Sequence, residues 1–252
     1  MKVACVEYLN ALPFTDALEI LFKKNQLNYI KAVPANCANL LKTGAVDLAL
    51  LPIGAISDFE KLYLISDYCI ACVGPVRTVK LFSNQSIESI DSIVLDSASR
   101  TSNELLRILL RDYWKNSSIK LIKESDELSN AQFAKLKIGD AAFELEGRYA
   151  FEYDLGEIWY ALTGLPFVFA VWVATKQISK EQQNILNEAF KKSIASIDQL
   201  IYKKEEYNSQ ILESYFKHNI HYELDVNTLP EGMYTFRLVV GASVQVKQFR
   251  KM

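Results

Sequence analysis

The sequence predicts an α/β protein of two lobes, one inserted into the other around a cleft. Three observations carry that expectation. The first 52 residues alternate strand-like and helix-like segments, the pattern of a parallel sheet covered by helices. A second strand–turn–helix unit begins at Ser92. The strongest long apolar stretches, near Val79–Phe82 and Val168–Val173, bracket that second unit, so two crossings would make it an insertion. The expected division is 1–82 with 172–252 as the first lobe and 83–171 as the second; a single continuous sheet is the alternative. With 252 residues and 50% apolar content, the chain can bury one large core or two smaller ones.

In order along the chain, Val3–Val6 is a short apolar run that reads as a buried strand. Pro13–Lys24 carries Phe14, Ala17, Leu18, Leu21 and Phe22 on one helical face. Tyr29–Val33 reads as a strand, Asn36–Thr43 as a short helix that Gly44 terminates, and Val46–Leu51 as a third strand closed by Pro52. Tyr68–Phe82 is strand-like but interrupted at Gly74-Pro75. Ser92–Leu95 is a strand, Ser97–Thr101 a polar turn, and Ser102–Trp114 an amphipathic helix with Leu105, Leu106, Leu109 and Leu110 inward. Ile119–Ile122 and Leu136–Phe143 are further strand candidates, and Leu165–Ala174, rich in Val, Phe and Trp, is the strongest. Ser179-Lys-Glu-Gln182 is a capping pattern for a helix over Lys180–Tyr202, followed by another over Glu205–His218. Glu231–Val240 is ambiguous and is assigned to helix.

Charge and composition narrow the function. Lys+Arg (28) nearly balance Asp+Glu (30), so no basic field argues for nucleic acid. Glu7 breaks the N-terminal apolar run and no stretch reaches membrane-span length, so a cytoplasmic protein without a membrane partner is expected. Cys5, Cys37, Cys69 and Cys72 are too sparse for a disulfide framework, and Cys69-Ile-Ala-Cys72 lies in a strand-like run, which favours buried cysteines over redox or zinc chemistry. No Walker A turn, dinucleotide turn or metal-ligand cluster is visible. The two histidines, His218 and His221, lie near the C-terminus, which argues against a histidine-based catalytic triad.

The most informative stretch is Asp96-Ser-Ala-Ser-Arg-Thr-Ser-Asn103. Ser99, Arg100, Thr101 and Ser102 stand at a helix N-terminus, where unpaired N–H groups and the helix dipole suit a carboxylate or phosphate. Ordinary capping needs one such hydroxyl; this turn has four hydroxyl residues and an arginine in six positions. Arg77, in Gly74-Pro-Val-Arg-Thr78, reads either as a carboxylate partner in the cleft or as a solvated strand-edge arginine. Tyr8-Leu-Asn10 follows the first strand, so Asn10 either orients a ligand at the cleft rim or serves as a turn residue. Asp140, after Gly139, is an acid–base group or a structural acceptor, and Gly164 lets a ligand lie against the backbone.

These stretches, in this order, resemble the chorismate dehydratase family of the futalosine route to menaquinone. The matching residues are Tyr8-Leu-Asn10, Gly74-Pro-Val-Arg77 with Leu81-Phe-Ser83, Ser99-Arg-Thr-Ser102, Ile138-Gly-Asp-Ala-Ala142, Asp154-Leu-Gly-Glu157 with Trp159, and Thr163–Trp172. The resemblance spans about residues 3 to 175. It implies a type II periplasmic-binding-protein-like fold with a hinged cleft. It also implies loss of water from chorismate to give 3-[(1-carboxyvinyl)oxy]benzoate, with no cofactor and a small-molecule substrate as the partner. The chain departs from the family pattern at Glu7 and Thr78, where serine is usual, and the latter change keeps the hydroxyl. On this reading Asn10 positions the reacting part of the substrate and Thr78 or Ser83 hydrogen-bonds the departing oxygen. Tyr8, Arg77, Ser99, Arg100, Thr101, Ser102, Asp140 and Gly164 then contact the substrate, with Arg77 and the serine-rich turn gripping its two carboxylates.

Other readings are a 1,4-dihydroxy-6-naphthoate synthase-like enzyme, a non-catalytic small-anion binding protein, and the effector lobe of a transcription regulator. The first is disfavoured by the absence of a Pro-Cys-Pro-Asn-Asp-Thr opening and of any histidine before His218, and the last by the lack of a DNA-binding segment. Either a monomer or a homodimer is compatible with the chain.

Overall fold

A computed structural model describes residues 1–123, 133–204 and 207–223, and the backbone of 232–240 and 243–251. The chain opens with β1 (Lys2–Val6), α1 (Leu12–Lys23), β2 (Asn28–Ala32), α2 (Pro34–Lys42), β3 (Leu48–Pro52) and β4 (Tyr63–Cys72). It continues through β5 (Val79–Ser83), β6 (Ser92–Val94), α3 (Arg100–Asp112), β7 (Lys120–Ile122), β8 (Phe133–Ile138), α4 (Asp140–Leu145), β9 (Phe151–Asp154) and α5 (Leu155–Thr163). It then returns through β10 (Phe167–Ala174), α6 (Lys180–Ala195), α7 (Ile197–Ile201) and α8 (Ser209–His218).

Two mixed sheets result. The first has the order β2-β1-β3-β10-β4 and the second β7-β6-β8-β5-β9. The first three strands are parallel, and β10 lies antiparallel between β3 and β4. In the second sheet β6 pairs in parallel with β7 and β8, while β5 runs antiparallel to β8 and β9. The first sheet therefore takes strands from before and after the segment that forms the second. Strand β3 is buried along its whole length, as expected of a central strand covered on both faces. Helix α1 buries Phe14 against Trp172 of β10 and Phe190 of α6, with ring centroids 5.5 and 4.8 Å apart, and this aromatic cluster forms the centre of the first lobe. In the second lobe α3 buries Leu105, Leu106, Leu109 and Leu110, the inward stripe anticipated from the sequence.

The structure moves several expected boundaries. Val79–Ser83 pairs inside the second sheet and Phe167–Ala174 inside the first, so the chain crosses over residues 73–78 and 155–166 instead of at 82/83 and 171/172. The Gly74-Pro75 break, with Gly74 at φ 81°, is where the continuous apolar run is cut into strands of different sheets. The strand expected over Leu136–Phe143 stops at Ile138, because Gly139 takes φ 62° and ψ −145°, a conformation open to glycine, and α4 begins at the next residue. The long helix expected over Lys180–Tyr202 is divided at Ser196. Helix α8 starts behind an Asn208 cap, while Glu205, the expected start, lies outside the described residues. The helix assigned to the tail is a correction: Gly232–Val240 is a strand paired antiparallel with Ser243–Lys251. Its run of Tyr, Thr, Phe and paired Val carries strand propensity that outweighs the helical spacing. Among the described residues no helix is long and apolar enough to cross a membrane.

Candidate functional site

The carboxyl ends of β1, β3, β6 and β8 face one another across the gap between the two sheets, the position where open α/β sheets bind ligands. A cavity of about 510 Å³, including its open mouth, lies there. The first lobe contributes Val6, Tyr8, Asn10, Pro34, Pro52, Ile70, Phe169 and Ala170. The second contributes Val79, Ser99, Thr101, Ser102, Ile138 and Gly139, and the first crossover contributes Val76 and Thr78. The lining thus combines apolar side chains from both lobes with hydroxyls, one amide and backbone.

Each polar group is held in place from outside the cavity. Ser99 caps α3: its Oγ accepts from Ser102 N–H at 3.1 Å and donates to Ser102 Oγ at 2.8 Å, which leaves the Ser102 hydroxyl hydrogen to point elsewhere. The N–H groups of Arg100 and Thr101 stand in the first turn of α3, where no intrahelical acceptor exists. Asp96 braces this turn, its two carboxylate oxygens accepting from Ala98 N–H at 2.9 Å and Ile138 N–H at 3.1 Å. Asn10 keeps its carbonyl oxygen under Tyr222 O–H at 2.8 Å, while its side-chain Oδ1 is buried with no partner among the described residues. A buried amide oxygen left unpaired is costly, and in this position a ligand donor would satisfy it. Thr78 Oγ1 lies 3.0 Å from the hydroxyl of Tyr215, a fully buried residue of α8.

The lobes also touch across the gap. Gly54 N–H donates to Thr101 Oγ1 at 3.0 Å, and a Cβ at Gly54 would stand 2.8 Å from Thr101 N, so the approach of the first lobe to the start of α3 requires glycine. Leu9 N–H donates to Asp140 Oδ1 at 3.1 Å. Tyr8 packs its ring where a Cβ of Gly139 would be, at 3.1 Å. Burial, reinforced by Asp96, Asp140 and Glu7, pushes the Tyr8 phenol up to about 12, so Tyr8 is a hydrogen-bond donor at neutral pH. Burial also raises the Asp140 carboxyl above its ordinary value.

Of the residues singled out from the sequence, Tyr8, Asn10, Thr78, Ser99, Thr101 and Ser102 come together around the cavity, and Asp140 sits beside it. Four do not. Arg77 takes a left-handed backbone (φ 63°), and its guanidinium makes a two-pronged contact with Glu146, at 3.1 and 2.7 Å, over the Phe143 ring. Arg100 is turned outward onto Asp58 of the first lobe. Ser83 is buried at the far end of β5, four residues beyond Val79 and therefore ~13 Å along the strand, where its Oγ accepts from Gln85 N–H. Gly164 is the left-handed cap of α5 and exposed, not a backbone rest for a ligand. Among the described residues no charged side chain lines the cavity; its polar lining consists of the start of α3 and neutral side chains. Tyr215, Tyr222 and Gly54 were not anticipated. Tyr215 lies on a segment whose pattern says only helix, Tyr222 lies just beyond it, and the proximity of Gly54 to Thr101 spans 47 residues.

Comparison with known proteins follows the same lines. A protein-family model described as menaquinone biosynthesis matches residues 1–237. A curated relative, chorismate dehydratase of Thermus thermophilus, is 28% identical over 188 residues, covering 68% of each chain. Among solved structures, a Candida albicans gene product described as having the generic periplasmic binding protein fold superposes with a TM-score of 0.61 at 12% identity, over 88% of this chain and 81% of that one. The periplasmic aliphatic sulphonate binding protein of Escherichia coli gives 0.58 at 14% identity, over 90% and 87%. The fold is periplasmic-binding-protein-like, two α/β lobes around a cleft.

Proposed function

The chain belongs to the menaquinone biosynthesis family, and from that premise we propose that it is a hydro-lyase that converts chorismate to 3-[(1-carboxyvinyl)oxy]benzoate and water. The observation that carries the reading is the convergence of Asn10, Thr78 and the capped start of α3 on one cavity whose lining also includes the apolar Val76, Val79, Ile138 and Phe169. The name of the 28%-identical relative supports the choice of substrate.

The reaction suits this lining. The C3–H bond of the ring breaks, its electron pair closes the aromatic ring, and the C4–O bond breaks with its own pair. The departing hydroxide and the C3 proton leave together as water. Aromatisation supplies driving force, so the protein must orient the ring, exclude water and stabilise the departing oxygen. In this reading one carboxylate sits against the Arg100 and Thr101 N–H groups and the Ser102 hydroxyl. Charge-assisted hydrogen bonds of this kind contribute about 1.5–3 kcal/mol each. The diene lies against the apolar side chains, Asn10 Oδ1 accepts from the substrate, and Thr78 donates to the C4 oxygen. The C3 proton is taken by the substrate's own enolpyruvyl carboxylate, an internal base, and passed to the departing hydroxide to complete the water.

The test is incubation of purified protein with chorismate, followed by chromatography and mass spectrometry. One aromatic product, lighter by one water and formed in step with substrate loss, is expected. Chorismate bound but recovered unchanged would overturn the enzyme reading in favour of a small-anion binder.

A further inference from the structure

Tyr215 lies outside the cavity but touches one of the groups that line it. It is fully buried on α8, its ring edge-on to Phe143 at 4.9 Å, with its hydroxyl 3.0 Å from Thr78 Oγ1. One turn later Asn219 Nδ2 donates to the Pro75 carbonyl at 2.8 Å, so α8 is docked on the same crossover that carries Thr78. We propose that Tyr215 is a positioning residue: it donates to Thr78 and thereby fixes the Thr78 hydroxyl as a donor toward the substrate oxygen that leaves.

The direction of the bond follows from donor arithmetic. A buried phenol has one hydrogen and must place it, and among the described residues Thr78 Oγ1 is the acceptor within reach. Burial holds that phenol protonated far above the ordinary tyrosine range. Thr78, having accepted, must direct its own hydrogen elsewhere. Its other neighbour is the Val76 carbonyl at 3.4 Å, at the limit of a hydrogen bond. An oxygen in the cavity is the better acceptor. The chain Tyr215 O–H, Thr78 O–H, substrate oxygen then runs one way, and each bond polarises the next. Tyr215 keeps its proton throughout; the water formed takes its proton from C3.

This inference rests on the dehydratase reading, because it names the departing oxygen. The test is steady-state kinetics with chorismate on the wild type, Tyr215→Phe, Thr78→Val and the double variant. Tyr215→Phe is expected to lower kcat about tenfold, the effect of one hydrogen bond made in the transition state, with KM within about twofold. In the Thr78→Val background the same change is expected to have no further effect, because the relay acts only through the Thr78 hydroxyl. Wild-type kcat in Tyr215→Phe, or an equal loss in both backgrounds, would overturn the assignment. 3-Fluorotyrosine installed at 215 keeps the donor and nearly the same shape, and it guards against a folding defect in the phenylalanine variant. Turnover at or above wild type is expected with it, and turnover as low as that of Tyr215→Phe would also refute the role. Wild-type turnover of chorismate, read in the same assay, tests the functional reading separately from these ratios.

Discussion

Gly54→Ala tests whether the start of α3 belongs to the site. Gly54 is not in a left-handed conformation, so alanine suits its backbone, and the penalty is purely one of space. The new Cβ would stand 2.8 Å from Thr101 N, 3.0 Å from Thr101 Cα and 3.1 Å from the Arg100 carbonyl carbon. Ordinary contact begins near 3.4 Å, so the two lobes must part by about 0.6 Å at this point. These atoms are backbone and cannot swing aside. The displacement weakens the Gly54–Thr101 hydrogen bond, about 1 kcal/mol, and misaligns the N–H groups meant for the carboxylate, about 1 kcal/mol more. The first loss is common to the free enzyme and the transition state, so only the second, about 1 kcal/mol, enters kcat/KM, roughly a fivefold loss. Loss of one hydrogen bond lowers Tm by only about 2–4 °C in a protein of this size. Kinetics with chorismate and a thermal melt on the same preparation give both numbers. A kcat/KM within twofold of wild type would refute the placement of α3 at the site; a Tm collapse beyond about 10 °C would show that the glycine serves the fold instead.

Three further variants probe the remaining assignments. Asn10→Ala removes a buried amide oxygen that has no partner among the described residues, so kcat/KM is expected to fall about a hundredfold while Tm stays level or rises; full turnover would refute the positioning role. Arg77→Gln is expected to lower Tm by several degrees, through loss of its two contacts with Glu146, and to leave KM for chorismate within about threefold; a KM raised a hundredfold would mean that Arg77 meets the substrate after all. Glu146 is half-buried, which raises its carboxyl, but Arg77 and Lys80 outweigh burial and hold it below the ordinary value. A depressed carboxylate contributes stability above its unfolded pKa, about 4.3, and loses it as pH falls through the folded value. Glu146→Gln should therefore be less stable than wild type at pH 7, and the difference should shrink toward pH 3 in urea titrations. A difference that stayed constant with pH would contradict the ion-pair account.

The layers of the fold were legible in the sequence because they depend on local patterning. The apolar stripe of α3, the all-buried β3 and the Val/Phe-rich β10 each announce themselves within a ten-residue window. The site was legible where it depends on strand ends: Asn10, Thr78 and Ser99–Ser102 sit where the chain leaves a sheet or crosses between sheets. It was illegible where side-chain direction decides. Arg77 and Thr78 are neighbours, yet a left-handed backbone at Arg77 sends the guanidinium to Glu146, 69 residues away, while Thr78 lines the cavity. Nothing in Gly-Pro-Val-Arg-Thr announces that turn, nor the pairing of Arg100 with Asp58. Contacts from the C-terminal segment, Tyr215 to Thr78 and Tyr222 to Asn10, are long-range and carry no motif. Asp154 shows the same limit: in the structure it caps α5, and its carboxylate also accepts from Val76 and Arg77 N–H at 3.0 and 2.6 Å, tying the two crossovers together, none of which the stretch Asp154-Leu-Gly-Glu157 announces.

In the proposed dehydratase, neutral donors and a helix start, not guanidinium groups, hold the substrate's carboxylate. A crystal structure with 3-[(1-carboxyvinyl)oxy]benzoate bound tests it most directly. The account predicts a carboxylate within hydrogen-bond distance of Thr101 N–H and Ser102 Oγ, the ring against Val79 and Ile138, and the Arg77–Glu146 pair intact. A product whose carboxylates are clasped by Arg77 or Arg100, with those ion pairs broken, would contradict it.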